Sequence, residues 1–249
     1  MRIKVVNPNT STAMTRDIHR AALTAAAPGT TIEAVSPAMG PASIESHYDE
    51  ALSVPGILAE VAAGEQSGVD GYVIACFGDP GLDAARELAA GPVVGIAEAA
   101  MRTATYLGRS FTVVTTLART RGRAWDLAER YGVTKFCAGV HAVDIPVLDL
   151  DQDPETLQKL TEACRAALDE DDADAVVLGC AGMADLCADL AKAIGAPVVD
   201  GVRAATLQVQ SLVTMALATT KRGEYAAPPP KPYAGLLHAF GTGPESPAE

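Results

Sequence analysis

One short pattern occurs twice in the chain and restricts the fold more than any other feature. In each copy, an apolar run rich in β-branched residues ends in a small residue, a cysteine, any residue and a glycine. The first copy covers residues 71–78 and contains Cys76, and the second covers residues 173–182 and contains Cys180, so the two cysteines lie 104 positions apart. Because a helical pattern follows each copy, the repeat predicts two similar strand–helix units.

Other segments repeat at matching places. About fifteen residues after each pattern, a proline introduces a second short apolar run, at residues 92–95 and again at 197–200. The strand-like segment at residues 4–10 resembles that at residues 112–117, since both end in small polar residues before a helical stretch. These matches predict two homologous lobes that face each other.

The alternation of strand-like runs with alanine-rich helical stretches is typical of the α/β class. We therefore predict two pseudosymmetric lobes, each a mostly parallel sheet flanked by helices, with the active site in the cleft between them. One predicted helix covers roughly residues 50–67, and another covers residues 183–194. The predicted strands cover residues 3–6, 31–35, 71–75, 93–95, 110–115, 135–140, 173–178 and 198–199.

The boundary between the lobes is not a single cut. A helical pattern around residues 202–219 is expected to return to the first lobe, so lobe 1 comprises residues 1–100 plus about 201–225, and lobe 2 comprises residues 101–200. Residues 226–249 are rich in proline, which is excluded from helix interiors and central strands. This segment is predicted to be an extended C-terminal tail.

Composition and charge exclude several kinds of partner. The formal net charge is −12 and only 4% of residues are aromatic, so the chain lacks the basic surface and stacking platforms that nucleic acids require. No apolar stretch approaches the roughly 20 residues needed to cross a bilayer, so a membrane is not expected either. The first residues lead into a strand without the pattern of a secretion signal, which predicts a cytoplasmic protein.

The repeated cysteines occupy the positions where α/β sheets bind ligands, at the carboxyl ends of strands. If Cys76 and Cys180 each open a helix, the next backbone amides and the helix dipole are expected to lower the pKa values of these thiols. Gly78 and Gly182 follow two residues later, and the lack of a side chain lets a ligand approach the backbone closely. Amides exposed in this way are able to stabilise an oxyanion.

Two thiols on opposite walls of one cleft suit the inversion of a carbon acid. This reaction needs a thiolate that removes a proton from one face and a thiol that returns one from the other. The alternative is that both cysteines are buried apolar side chains, but their repetition at equivalent strand ends favours catalysis. Packing is the expected role of Cys137, Cys164 and Cys187, which lack the repeat. No cysteine or histidine spacing predicts a metal site.

Small polar residues after the paired first strands are candidates for holding a substrate. These are Asn9 in one lobe and Thr115 and Thr116 in the other, although the segment around Asn9 is equally suited to cap a helix. The residues next to the two cysteines are further candidates. Phe77 either packs on a planar ligand or fills the lobe interface, and Ala181 contributes its backbone to the same predicted pocket.

At four places the sequence resembles the hydantoin racemase family of the aspartate/glutamate/hydantoin racemase superfamily. These are Val-Asn-Pro-Asn-Thr-Ser at residues 6–11, Ile-Ala-Cys-Phe-Gly-Asp-Pro-Gly at 74–81, Pro-Val-Val-Gly-Ile-Ala-Glu at 92–98, and Val-Leu-Gly-Cys-Ala-Gly-Met at 177–183. The resemblance implies a racemase that needs no cofactor, with Cys76 and Cys180 as its two bases and a small-molecule substrate. It also implies a homo-oligomer.

The residues beside the cysteines help to separate the chemistries of this superfamily. Aspartate and glutamate racemases carry Cys-Asn-Thr and Cys-Thr-His, whereas this chain has Cys-Phe-Gly and Cys-Ala-Gly. The difference favours a flat neutral ring held by backbone amides and apolar walls, namely a 5-substituted hydantoin such as allantoin. An amino-acid racemase and a maleate-isomerase-like enzyme remain alternatives. The non-enzymatic alternative is a thiol redox protein or a small-molecule-binding protein.

Overall fold

The computed structural model describes residues 1–150 and 152–241, in which two parallel sheets of four strands share the same strand order. The order is β2-β1-β3-β4 in the first sheet and β6-β5-β7-β8 in the second, and every strand pair is parallel. The prediction of a two-lobe α/β fold is therefore confirmed. The strands are β1 (Arg2–Val6), β2 (Thr31–Val35), β3 (Gly71–Ile74), β4 (Val93–Gly95), β5 (Phe111–Thr115), β6 (Cys137–Ala142), β7 (Ala175–Gly179) and β8 (Val198–Val199).

The central strands are largely apolar and are buried on both faces because helices cover both sides of each sheet. Every residue of β3, β5 and β7 is buried, as is every residue of β1 except Arg2. Continuous apolar runs of this kind are the usual composition of parallel strands. The helices are α1 (Thr12–Ala25), α2 (His47–Ser67), α3 (Leu82–Leu88), α4 (Ile96–Ala104), α5 (Arg121–Arg130), α6 (Thr156–Asp171), α7 (Cys187–Ile194) and α8 (Gly201–Thr214).

Helix α2 begins about one turn earlier than the sequence predicted. Its N-cap is Ser46, whose Oγ accepts a hydrogen bond from the Asp49 amide at 3.2 Å and donates one to Asp49 Oδ2 at 2.7 Å. Residues 46–49 thus form a variant of the capping box. The earlier start matters because it adds His47 to the helix and places the first turn of α2 beside the cleft.

One continuous apolar core joins the two lobes. It contains residues of both sheets, including Val5 and Val73 of the first and Val113 and Val177 of the second. Helix α4 lies between the sheets and contacts β7 of the second lobe and α8. Helix α8 in turn packs on α1, α4 and β3. The two sheets are therefore held in a fixed relation by shared burial rather than by a flexible linker.

The C-terminal segment combines irregular chain with short 3₁₀ turns. Lys221 donates from Nζ to the backbone carbonyl oxygens of Arg86 and Glu87 at 2.8 Å each, which ties the chain to α3. Within the tail predicted at residues 226–249, Gly235–Phe240 forms a 3₁₀ segment instead of extended chain. No proline lies within Gly235–Phe240, so proline does not oppose the turn. Residues 242–249 lie outside the described part.

No helix within the described ranges has both the length and the apolar character needed to span a bilayer.

A buried carboxylate connects three parts of the molecule. Asp79 Oδ1 accepts from the Ala97 amide at 3.1 Å, and Oδ2 accepts from the Glu98 amide at 2.9 Å and from the Tyr131 hydroxyl at 2.5 Å. These contacts join the loop after β3, the first turn of α4 and the end of α5. Burial raises the pKa of Asp79 to about 6, although all three donors oppose the shift.

We expect Tyr131→Phe to destabilise the fold more at pH 8 than at pH 5. Because the pKa of Asp79 is raised from 3.8 to about 6, the stability that its proton contributes is complete below 3.8 and is lost as the pH rises through 6. Without the Tyr131 hydroxyl, the Asp79 carboxylate has one hydrogen-bond donor fewer, so the stability lost at high pH becomes larger. Urea unfolding should show a cost of about 1–3 kcal/mol at pH 8. Tyr106, which is 84% exposed, provides the control Tyr106→Phe. A cost that is equal at both pH values would contradict this account.

Candidate active site

The carboxyl ends of the central strands of both sheets surround one cavity of about 180 Å³. Strands β1 and β3 contribute from the first lobe, and β5 and β7 contribute from the second. Parallel strands present their carboxyl ends at one edge of a sheet, so two sheets facing each other create one shared site. The cavity brings together eight of the nine residues predicted for the site, namely Asn9, Cys76, Phe77, Gly78, Thr115, Thr116, Cys180 and Ala181.

Gly182 lies outside this cavity, contrary to its predicted place in the substrate pocket. It lines a second cavity, together with Leu150 and Asp185. The reason is that the chain turns at once into the 3₁₀ segment Ala181–Leu186 instead of continuing toward the cleft. Of the two residues that follow Cys180, Ala181 is thus the one that lines the site.

The environment of Cys76 differs from the predicted helix N-terminus. Cys76 follows β3, but α3 begins only at Leu82, so no helix dipole acts directly on the sulfur. Cys76 is partly exposed to the cavity, yet the protein around its sulfur raises the thiol pKa, whereas the predicted shift was downward. Burial is the main cause, and the Gly78 amide opposes it by favouring the thiolate. Burial at this position therefore favours the thiol form of Cys76 over the thiolate.

Cys180 has the equivalent position in the second lobe. It follows β7 and precedes the 3₁₀ segment, whereas the sequence predicted an α-helix at residues 183–194; the α-helix, α7, begins only at Cys187. Like Cys76, it is partly exposed. Its side chain packs against the core shared by both lobes and also against the second-lobe core. The two repeated cysteines therefore face one cavity from opposite lobes.

The other three cysteines are buried away from the cavity. Cys137 and Cys164 have thiol pKa values that burial raises to about 12, and Cys187 has a value raised to about 11. Thiols in such surroundings are poorly ionised and behave as small apolar side chains. Their placement agrees with the packing role expected from the sequence.

The small polar residues at the strand ends are held by hydrogen bonds within the protein. Asn9 Oδ1 accepts from Asn7 Nδ2 at 2.8 Å and from the Ser11 amide at 2.9 Å, while Ser11 itself is the N-cap of α1. In the second lobe, Thr115 Oγ1 lies 3.0 Å from Thr120 Oγ1. The helix-capping alternative therefore applies to Ser11, and Asn9 positions the segment that precedes it.

Phe77 lies in the interface between the lobes and also beside the cavity. Its side chain is only 8% exposed and packs into the core that contains residues of both sheets. It also forms part of the cavity wall next to Cys76. A buried ring at this point keeps water from one side of the site.

The sequence interpretation missed the charged wall of the cavity. Glu45, His47 and Glu50, at the start of α2, face Arg119 and Arg123 from the second lobe. Instead of purely apolar walls, the cavity thus has a charged side. The capping box at residues 46–49 was the one sequence signal that marked the start of α2, whereas nothing in the sequence paired α2 with α5.

Three contacts join this charged wall across the cleft. Arg123 Nε lies 3.3 Å from Glu50 Oε1, and Arg123 Nη2 donates to the Gly78 carbonyl oxygen at 2.8 Å. The amide of Val147, in the second lobe, donates to Glu45 Oε1 at 2.8 Å. Burial raises the pKa of Glu50, and the charges of Arg123 and His47 oppose that shift.

Residues 3–209 match the family model of the Asp/Glu/hydantoin racemases. This chain belongs to that family. It is 48% identical to the hydantoin racemase of Pseudomonas sp. strain NS671 over 242 residues, which are 97% of each chain. The earlier resemblance is confirmed, and by its family the chain is an isomerase of the racemase class.

Two solved structures share both the fold and much of the sequence. The allantoin racemase from Klebsiella pneumoniae superposes with a TM-score of 0.94 at 51% identity, covering 97% of this chain and 99% of that one. The allantoin racemase from Pseudomonas fluorescens gives a TM-score of 0.91 at 38% identity, covering 94% and 100%. Relatives named hydantoin racemase and relatives named allantoin racemase thus both match nearly the whole chain.

Brief alkylation of the native protein is expected to label Cys76 and Cys180 before the other three cysteines. Only these two thiols open onto the cavity, and labelling of Cys76 should still increase above pH 9 because its pKa is raised. Peptide mass spectrometry after a short exposure to iodoacetamide provides the measurement. Equally rapid labelling of Cys164, a fully buried thiol, would refute the assignment.

Proposed function

We propose that this chain racemises 5-substituted hydantoins, allantoin among them, without a cofactor and with Cys76 and Cys180 as the two bases. The observation that carries the proposal is the meeting of both cysteines, from equivalent strand ends of the two lobes, at one cavity. The names of the relatives support the substrate class, since those relatives are hydantoin and allantoin racemases.

The reaction requires one thiolate and one thiol at the start. The thiolate removes the proton from C5 of the ring, and the electron pair of the C–H bond moves into an enolate at C4. The opposite thiol then gives its proton to the other face of C5. The enzyme ends with the two protonation states exchanged, so the reverse reaction begins from the product state. A thiolate with a raised pKa, as at Cys76, is a stronger base for a carbon acid.

The enolate oxygen needs donors that are already in place. Phe77, Gly78 and Ala181 line the cavity beside the two cysteines, and their backbone amides are the candidate donors. We propose that they stabilise the developing charge, as in other oxyanion sites. Asn9, Thr115 and Thr116 would orient the ring through its amide groups.

The charged wall supports allantoin as a substrate. A ureido substituent at C5 has both N–H donors and a carbonyl acceptor, and the wall offers carboxylates at Glu45 and Glu50 and guanidinium groups at Arg119 and Arg123. A benzyl substituent satisfies none of these groups and would leave them poorly solvated. We therefore expect allantoin to have a higher kcat/KM than 5-benzylhydantoin.

The first experiment follows optical rotation. One enantiomer of allantoin and one of 5-benzylhydantoin are incubated separately with the protein, a thiol reductant and EDTA, beside enzyme-free controls. The expected result is loss of rotation to zero and incorporation of one solvent deuterium at C5. Aspartate, glutamate and maleate are assayed in parallel. Turnover of one of these, with both hydantoins at their spontaneous rates, would overturn the substrate assignment.

Serine variants test the two bases. We expect Cys76→Ser and Cys180→Ser each to lower racemisation by at least about 100-fold, because a serine hydroxyl ionises far less readily than a thiol. Cys137→Ala and Cys164→Ala are matched controls, since these cysteines are buried elsewhere, and they should keep near-normal activity at a temperature where they stay folded. Similar losses in all four variants would contradict the assignment.

A further inference from the structure

The ion pair of Glu50 and Arg123 crosses the cleft beside Cys76. Glu50 belongs to α2 and Arg123 to α5, and both side chains are largely buried, with exposed fractions of 17% and 26%. A pair at this depth is screened by solvent much less than one on the surface. Each charge of this pair is therefore able to shift the pKa of an ionisable group beside it.

Arg123 reaches Cys76 through the residue Gly78. Arg123 Nη2 donates a hydrogen bond to the Gly78 carbonyl oxygen at 2.8 Å. The amide of the same glycine favours the Cys76 thiolate. A side chain at Gly78 would leave no room for this arrangement, because an added Cβ would lie 2.3 Å from Glu50 Oε1. The absence of a side chain thus lets the ion pair approach the backbone of the Cys76 loop.

Glu50 acts on the same sulfur with the opposite sign. Its negative charge disfavours the Cys76 thiolate, as do Asp79 in the same loop and Cys180 across the cavity. The groups that face Glu50 itself are Arg123, His47 and Asp126. Because Arg123 is the partner in direct contact, the two members of the pair are expected to have separable effects on Cys76.

We propose that Glu50 and Arg123 are positioning residues that act in opposite directions on Cys76, Arg123 by holding the Gly78 amide against the sulfur and Glu50 by placing a negative charge beside it. The inference rests on the proposed role of Cys76 as a base. It assigns a second task to the charged wall, beyond contact with the substrate. A pair that only clamped the lobes would alter Cys76 in the same direction whichever partner was removed.

The test measures the reactivity of Cys76 without any substrate. The rate of its alkylation by iodoacetamide is followed by peptide mass spectrometry from pH 6 to pH 10.5 in wild type, Glu50→Gln and Arg123→Gln. At a fixed pH below the thiol pKa, we expect Glu50→Gln to react about threefold to tenfold faster and Arg123→Gln to react slower by a similar factor, since one pKa unit is a tenfold change in thiolate.

Two further variants keep the test decisive. Arg123→Lys retains the charge but not the planar guanidinium, so it should lie between wild type and Arg123→Gln. Arg130→Gln removes another cross-lobe ion pair of the same helix, with Asp83, and should leave the Cys76 profile unchanged. Continued protection of Cys164 in each sample shows that the fold is intact. Shifts in the same direction for Glu50→Gln and Arg123→Gln, or no shift in either, would overturn the proposal.

Activity then separates this inference from the proposed function. The limb of the kcat/KM profile that reports Cys76 should move to lower pH in Glu50→Gln and to higher pH in Arg123→Gln. Opposite alkylation shifts without racemisation of any hydantoin would refute the proposed function, while the effect of the two residues on the reactivity of Cys76 would still be established. Normal racemisation of a hydantoin, with the alkylation profile of Cys76 unshifted in both variants, would support the proposed function and refute this inference.

Discussion

The site depends on one constraint, the shared core that holds two parallel sheets with their carboxyl ends toward the same cavity. Helix α4 lies within that core, and its buried small residues, among them Ala97 and Ala100, allow close packing against both lobes. If either sheet turned away, each cysteine would face solvent alone. Burial of apolar surface thus determines which chemical groups meet at the cavity, although most of the core residues lie away from it.

Polar contacts across the cleft refine this arrangement. Asp79 receives the Tyr131 hydroxyl from the end of α5, and Glu50 pairs with Arg123 from the same helix. Both acidic residues are buried enough for their pKa values to be raised, so each needs its partner to remain favourable in the fold. The same helix therefore supports the Cys76 loop at two points, through Tyr131 at Asp79 and through Arg123 at Gly78.

The acidity of the thiols illustrates how environment outweighs local sequence. A cysteine between a strand and a helical pattern suggests a lowered pKa, but five residues separate Cys76 from Leu82, where α3 begins. Burial then dominates and favours the thiol, while the Gly78 amide gives partial compensation. For proton transfer at carbon, a raised pKa makes the thiolate a stronger base but reduces the fraction of Cys76 that is ionised at neutral pH, so a group that favours the thiolate, such as the Gly78 amide, becomes important.

The sequence by itself determined the α/β class, the repeated unit and the eight residues that meet at the cavity, because hydrophobic period and strand ends are local properties. Only the tertiary structure decided that Gly182 points to another cavity and that Glu50 and Arg123 face each other. Their contact joins positions 73 residues apart on different lobes, and no local pattern encodes such a pairing. The direction of the Cys76 pKa shift was likewise decided by burial, which exists only once both lobes are packed together.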